Sequence, residues 1–236
     1  MALILNIETA TEVCSVALAD EKGLKDHLVN TEGRSHAALL TTFVDTILKK
    51  NNILPDQLDA IAVSSGPGSY TGLRIGVSAA KGLCYGTGKP LLSIPTLQCM
   101  AYGFIGHIPE VQKHSYKDVW LCPMIDARRL EVYTAFFDMN GVFQSEISAA
   151  IIDEKSFNQV LTERKVIFFG NGSDKCKTII QHSNAIFHEG FLPSAMDMAA
   201  LSQQHYLEKK FMDVAYFEPF YLKDFVDTVP KNKVLK

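Results

Sequence analysis

The chain has 236 residues, of which 47% are hydrophobic and 21% charged, and its formal net charge is −3. This composition excludes a mainly disordered chain, because there is enough apolar surface to offset the conformational entropy lost on folding. The near-neutral charge argues against nucleic-acid binding by electrostatic field alone, which requires a clustered basic excess. The five cysteines are widely spaced and form no CxxC pair, which predicts reduced, packed thiols in a cytoplasmic protein.

The first half of the chain predicts three leading strands, then alternating helices and strands. Two β-rich runs separated by a short polar turn indicate a hairpin, and apolar residues at helical spacing indicate the first helix, with Ser35 as its cap. The predicted strands are 2–9, 12–19, 24–30, 58–65 and 90–94, and the predicted helices are 34–50 and 71–85.

The second half predicts the same elements in the same order. The predicted strands are 119–126, 131–138, 142–151, 166–169 and 185–187, and the predicted helices are 153–163, a segment after Ser173, and 194–210. No segment is long and apolar enough to predict a membrane span, and the N-terminus predicts no signal peptide.

Matching landmarks indicate an internal duplication. Ile7 and Gly23 are as far apart in sequence as Ile125 and Gly141, and each pair encloses a predicted hairpin. Gly66-Pro-Gly-Ser matches Gly170-Asn-Gly-Ser, each directly after an apolar strand. The element order predicts an α/β actin-like fold (ribonuclease H-like, ASKHA), in which two lobes with mixed sheets face each other across a cleft. The predicted lobes are 1–105 and 115–215, with 216–236 returning to the first lobe and ending in a mobile tail.

The most informative segment is the glycine-rich sequence of residues 64–76. Glycines between a strand and a helix let backbone N–H groups approach a phosphate, but the Walker, dinucleotide-binding and nucleophile-elbow spacings are all absent. A nucleotide-proximal turn and a purely structural turn therefore both stay open. Glu8 and Asp126, in the two hairpins, are catalytic carboxylates on one interpretation and turn residues on the other. The candidate cleft residues are Glu8, Thr9, Gly66, Gly68, Ser69, Asp126, Arg128, Gly170 and Gly172.

Metal binding has little support in the sequence. No two histidines are four residues apart, the spacing that a helical metal site favours. The predicted helix 34–50 has a broader apolar stripe than one core face needs, which suggests a contact with another protein or subunit.

The segment Ser65-Gly-Pro-Gly-Ser-Tyr-Thr-Gly-Leu-Arg-Ile-Gly76 resembles the TsaB (YeaZ) family. The resemblance continues in Leu5-Asn-Ile-Glu-Thr-Ala-Thr11, in Ile125-Asp-Ala-Arg-Arg-Leu-Glu-Val-Tyr133, in the Gly170 turn and in Glu218-Pro-Phe-Tyr-Leu-Lys223. It is weakest in residues 102–117 and in the tail. Lys223 stands where the family often has arginine.

The resemblance implies a non-catalytic partner of TsaD, the transferase in threonylcarbamoyladenosine modification of tRNA. TsaD binds its metal through two histidines at positions that match Thr96 and Met100, and neither of these replaces an imidazole ligand. The family also implies pairing with TsaD, or self-dimerisation, through two helices of the first lobe. The candidate interface residues are His36, Leu39, Leu40, Phe43, Ile47, Arg74, Val77, Ser78 and Lys81.

Further partners also follow from the resemblance. The ATPase subunit TsaE would join through the complex, and tRNA would be contacted indirectly. No cofactor or metal is expected for the chain itself, while ATP or ADP at an interface shared within the complex stays open. The alternative function is an ATP-dependent phosphotransferase or ATPase that uses the cleft. A metallopeptidase is the least supported alternative.

Overall fold

Two mixed β-sheets form the framework of the protein. The computed structural model describes residues 2–33, 36–109, 116 and 118–223. The first sheet has the order β11-β5-β4-β1-β2-β3. Its strands are β1 (Ile4–Glu8), β2 (Cys14–Asp20), β3 (Gly23–Asn30), β4 (Ala60–Gly66), β5 (Leu91–Pro95) and β11 (Phe211–Met212). β1, β2 and β4 are buried along their whole length, which explains their nearly continuous runs of apolar residues.

The second sheet has the order β10-β9-β6-β7-β8 and repeats the first without β11. Its strands are β6 (Trp120–Asp126), β7 (Glu131–Thr134), β8 (Ser148–Ile151), β9 (Val166–Phe169) and β10 (Ala185–His188). In both sheets the leading three strands are antiparallel neighbours, and the other two run parallel to the first strand. The predicted duplication is therefore confirmed at the level of topology.

The helices cover both faces of the first sheet. α1 (His36–Lys50) and α2 (Tyr70–Thr87) pack on the face that carries Leu5 and Ile7. α3 (Thr96–His107) and α5 (Ala199–Leu207) pack on the opposite face, which carries Ile4 and Ala62. The remaining described helix, α4 (Asn158–Glu163), packs on the second sheet through Leu161. α3 also contributes to the core of the second lobe, so it lies between the two sheets.

Four predicted elements of the second lobe differ from the structure. The strand predicted as 131–138 ends at Thr134. The helix predicted after Ser173 is a series of turns, in which Ser173 O accepts the N–H of Cys176 at 2.9 Å. The third strand is shorter than 142–151, because only its last residues pair with β7. α4 begins five residues late: the Asp153 carboxylate accepts the Lys155 N–H at 2.9 Å in a turn, and Phe157 has a positive φ of 63°. The Ser35 cap lies outside the described residues.

The chain returns to the first lobe earlier than predicted. A 3-10 helix, Ala195–Met198, leads into α5, and β11 then pairs with β5 in the first sheet. The predicted second lobe, 115–215, therefore includes residues that pack on the first, because the apolar side chains of Met198 and Leu201 belong to its core.

Residues 213–223, which we call the C-terminal strap, follow β11. Phe217 enters the first core, and Phe220 donates its backbone N–H to Ser65 O at 2.7 Å. Lys223 forms an ion pair with Glu131 of the second lobe, so the strap contacts both lobes. The predicted mobile tail lies outside the described residues, and in the described ones no helix has the length and apolar character needed to cross a membrane.

Candidate functional site

The glycine turn of the first lobe is packed directly against the first hairpin. Ser69 N donates to Ala10 O at 2.6 Å, and Thr9 Oγ1 donates to Gly72 O at 2.8 Å. A Cβ atom at Gly68 would lie 2.8 Å from the Cβ of Ala10, and one at Gly72 or Gly76 would overlap an oxygen atom of Thr9. The glycines are therefore needed for the close approach of α2 to the hairpin backbone.

The second lobe repeats this contact. Gly172 N donates to Met124 O at 3.0 Å, and a Cβ atom at Gly172 would lie 2.9 Å from the carbonyl carbon of Ile125. Gly66 and Gly170 both have positive φ angles, 113° and 98°, which favour glycine at the end of each strand. The two turns thus share one structural role in both lobes.

Three backbone N–H groups of the first glycine turn are bonded within the chain. A phosphate at the start of α2 would need free backbone N–H groups. Ser69 N is bonded to Ala10 O, Gly72 N donates to Ser69 Oγ at 3.2 Å, and Gly66 N donates to Thr96 Oγ1 at 3.2 Å. These three donors already have partners within the chain, so they are not free to bind a phosphate.

Glu8 does not face open solvent. Its side chain is fully buried, and Oε1 accepts the N–H of Ala10 at 2.5 Å. Burial raises the pKa of Glu8 to about 7, an effect that the nearby Asp197 carboxylate reinforces and the bonds from Ala10 and Ser64 oppose. Oε2 has no hydrogen-bond partner among the described residues, and an unpaired buried oxygen costs less free energy on a neutral carboxyl group than on a carboxylate. Glu8 is thus closer to the interpretation as a turn residue than to a catalytic group open to substrate.

Asp126 is exposed, and it is also bonded within its own lobe. Its carboxylate accepts the N–H of Arg128 at 2.8 Å and forms an ion pair with Lys175. Arg128 and Arg129 have positive φ angles of 71° and 52°, so the backbone takes a tight left-handed turn here. Lys175 Nζ also donates to Glu131 O at 2.6 Å, so Lys175 contacts both ends of this turn.

The two hairpin regions are joined across the cleft. Asn171 Nδ2, from the glycine turn of the second lobe, donates to Glu12 Oε2 of the first hairpin at 2.6 Å. Asn171 Oδ1 accepts the backbone N–H of Asp126 at 3.0 Å. One side chain therefore links Asp126 to the first lobe.

Comparison with known proteins identifies the family. The family model TsaD: tRNA N6-adenosine threonylcarbamoyltransferase matches residues 30–230. The tRNA threonylcarbamoyladenosine biosynthesis protein TsaB of Escherichia coli K12 is 31% identical over 227 residues, which cover 94% of this chain and 94% of that protein. The chain belongs to the TsaB family. The family indicated by the glycine-rich segment and the other sequence motifs is therefore confirmed.

Solved structures confirm the predicted actin-like fold. YeaZ from Pseudomonas aeruginosa superimposes with a TM-score of 0.76 at 24% identity, covering 94% of this chain and all of that one. The activator of the 2-hydroxyisocaproyl-CoA dehydratase from Clostridium difficile, solved with bound ADPNP, has a TM-score of 0.50 at 9% identity. It covers 88% of this chain and 97% of its own. At these identities the likeness concerns the fold alone.

In this TsaB-family chain, Thr96 and Met100, the two positions singled out from the resemblance, have structural contacts. Thr96 is buried, and its Oγ1 accepts a hydrogen bond from Gly66 N of the first glycine turn. Met100, one helical turn later, is buried, and its Cε atom would lie 2.5 Å from a Cβ atom at Gly170 of the second turn. Among the described residues, no group of three His, Cys, Asp or Glu side chains is placed to hold a metal ion.

The candidate interface residues of α1 and α2 fall into three groups. Leu40, Ile47 and Val77 are buried in the first core, so their placement on a binding surface was wrong: they belong to the inner half of the apolar stripe. The side chains of three others form hydrogen bonds to residues of this chain: His36, Arg74 and Lys81. The last three are partly or fully exposed: Leu39, Phe43 and Ser78.

The sequence analysis missed part of the outer face of α2. Tyr85 is 89% exposed, and Gly82 and Gly86 lie beside it with open space around them. Ile75, Ala79 and Leu83 are partly buried and follow one another at intervals of four residues. The four-residue spacing was visible in the sequence, but which side of the helix faces outward depends on how α2 crosses the sheet.

Proposed function

We propose that this chain is a non-catalytic subunit that docks on TsaD and supports threonylcarbamoyladenosine modification of tRNA. The observation that carries the proposal is the packing of both glycine turns against their hairpins in a chain of the TsaB family. The elements that would hold a nucleotide in an active relative are used here to pack each glycine turn against the hairpin of its own lobe. The chain would act by binding, so no catalytic residue is assigned.

The outward side of α1 and α2 is the surface proposed for TsaD. Leu39 and Phe43 lie one turn apart on α1 and are only partly buried, and Ile75, Ala79 and Leu83 line the neighbouring side of α2. These side chains pack against the first core and leave part of their apolar surface exposed, as residues at protein contacts often do. In the absence of TsaD, two copies of the chain would cover the same surface in a homodimer. TsaE and tRNA would join through the complex.

Nucleotide and metal are not required by this chain itself under the proposal. Gly66 N, Ser69 N and Gly72 N are bonded within the chain. Thr96 and Met100 connect α3 to the two glycine turns. ATP or ADP, if used, would bind where this chain meets another subunit. The phosphotransferase alternative predicts instead that the isolated chain hydrolyses ATP and that Asp126→Ala abolishes this.

The test is light scattering after size-exclusion chromatography of the chain mixed with TsaD from the same organism. We expect a complex with the wild type and none with Phe43→Asp. Because Phe43 is partly buried, Ser78→Glu on the exposed face of α2 provides a second interface variant. Leu130→Asp, at a half-exposed apolar position of the second lobe, is the matched control and should still bind.

The outcomes separate the alternatives. Binding by all variants, or ATP hydrolysis by the chain alone, would refute the proposal. Binding by wild type and Leu130→Asp alone, with unchanged thermal unfolding of each variant, would support it.

A further inference from the structure

A cavity of about 710 Å³ lies on the face of the first sheet opposite to α1 and α2. Its walls come from the turn between β2 and β3, from the end of α3, and from the segment between the 3-10 helix and the end of α5. The volume falls in the range of about 300–1,000 Å³ that is typical of small-molecule sites. The cavity is thus separate from the cleft and from the proposed TsaD surface.

Aromatic and apolar side chains form much of the wall. Tyr102 of α3 and Tyr206 of α5 are both partly buried and line the cavity, together with Met196 and Leu207. The faces of tyrosine rings attract cations, and the effect strengthens where water is displaced. Gly106 also lines the cavity, and a Cβ atom there would meet nothing within 4 Å, so the space beside α3 is open.

Asp197 and Glu21 are the carboxylates of this wall that form no ion pair within the part of the chain that the structure describes. Glu21 is exposed in the turn between β2 and β3, whereas Asp197 is half-buried in the wall. Asp197 Oδ2 accepts the N–H of Ser194 at 3.0 Å, and Oδ1 lies against Gly103, where a Cβ atom would be 2.7 Å away. The glycine at 103 therefore gives the carboxylate its place in the wall. Asp20, the other aspartate of the cavity, is already paired with Lys25 at 3.0 Å.

Burial raises the pKa of Asp197 to about 6, while the hydrogen bond from Ser194 and the nearby His107 oppose the shift. His107 Nδ1 lies 2.7 Å from Gly103 O and is hydrogen-bonded there. This nitrogen is therefore not bonded to the Asp197 carboxylate. Lys22 lies on the exposed rim of the cavity.

We propose that this cavity binds a small organic cation, a protonated amine on an aromatic or aliphatic body. The ammonium group would donate to Asp197, and the body would lie between Tyr102 and Tyr206. A charge-assisted hydrogen bond and two ring faces favour a cation over a neutral ligand of the same shape. The proposal does not rest on the docking of TsaD, because the cavity lies on the other face of the sheet.

Three probes with one ring system test the charge requirement: tryptamine, neutral tryptophol and anionic indole-3-acetate. Each is titrated at pH 7.5 into the full, isotope-labelled chain, and amide chemical shifts are followed by NMR. We expect tryptamine to bind at least about tenfold more tightly than tryptophol. The shifts should concentrate in 102–107 and 196–207.

Two variants and one control separate the cavity from non-specific binding. Asp197→Asn keeps the bond from Ser194 and should remove the preference for tryptamine. Gly106→Phe should fill the cavity and abolish binding of tryptamine and tryptophol alike. Asp56→Asn changes an exposed carboxylate far from the cavity and should bind as the wild type does.

Several results would overturn the proposal. These are equal affinity for the three probes, an unchanged tryptamine preference in Asp197→Asn, shifts centred elsewhere, or no shifts at millimolar concentration. If Asp197→Asn does not fold, Gly106→Phe still decides the matter, because retention of tryptamine binding by that variant contradicts a site in this cavity.

Discussion

The backbone N–H of Ser69 donates to the carbonyl oxygen of Ala10 over 2.6 Å, joining the start of α2 to the turn of the first hairpin. The bond uses a donor that would face a phosphate in a nucleotide-binding relative of the fold. Thr9 reinforces it from the neighbouring position through its bond to Gly72. The glycines around this contact are therefore open to a direct stability test.

We predict that Gly72→Ala destabilises the protein by about 2 kcal/mol, because the added Cβ overlaps the Thr9 carbonyl oxygen and forces the hairpin away. Urea denaturation measures the change. Gly82→Ala is the matched control in the same helix: its Cβ meets nothing within 4 Å, and the better helix propensity should add up to about 1 kcal/mol. Equal effects at the two sites would show that the hairpin contact does not need glycine.

We predict that Glu8 makes the protein less stable as the pH rises. Burial raises the pKa of Glu8 from 4.5 to about 7, so between these values the folded state holds a proton that the unfolded chain releases. Stability from this group is full below about pH 4.5, falls up to about pH 7 and stays lower above it. Glu8→Gln should remove this part of the slope and should be more stable than wild type at pH 8, by up to about 3 kcal/mol.

The pH dependence is measured by chemical denaturation from pH 4.5 to 8. Asp197 contributes a slope of the same sign that remains in Glu8→Gln, because burial raises its pKa as well. Glu21→Gln, at an exposed position of the turn between β2 and β3, should leave the profile unchanged. A parallel profile for Glu8→Gln and wild type would show that Glu8 is ionised in the folded protein.

We predict that the bond between Glu12 and Asn171 couples the two lobes. A hydrogen bond to a carboxylate contributes about 1.5–3 kcal/mol where it is shielded from water, and this one is only partly shielded. The double-mutant cycle of Glu12→Ala and Asn171→Ala should give a coupling free energy near 1 kcal/mol by urea denaturation. Additive effects of the two substitutions would mean that the lobes are held together without this bond.

We predict that the folded protein reacts slowly with a thiol reagent. All five cysteines are buried, and burial raises the pKa of Cys14 to about 11 and that of Cys84 to about 12. The thiolate is the reactive form, so little of it exists at pH 8. Titration with Ellman's reagent should detect no fast thiol in the native chain and all five in urea. A fast native thiol would reveal local opening at that position.

Much of this architecture was open to prediction from local patterns. The strands β1, β2, β3, β4, β9 and β10 were located to within a few residues, and the repeated spacing from Ile7 to Gly23 and from Ile125 to Gly141 indicated the duplication that the two sheets show. The helices of the second lobe were predicted less accurately. Phe157, with its positive φ, and the turns after Ser173 interrupt segments whose composition is typical of helices.

The sequence by itself determined the family, the duplication and the absence of familiar nucleotide spacings in the glycine-rich segment, because each depends on residue order alone. Only the tertiary structure decided what the glycines contact, since the approach of Gly68 to Ala10 joins residues far apart in sequence. It also decided which apolar residues of α1 face inward: Leu40 and Ile47 are buried against the sheet, whereas Leu39 and Phe43 are only partly buried. The cavity beside Asp197 likewise exists only because the chain returns to the first lobe after β10 and brings α5 against α3.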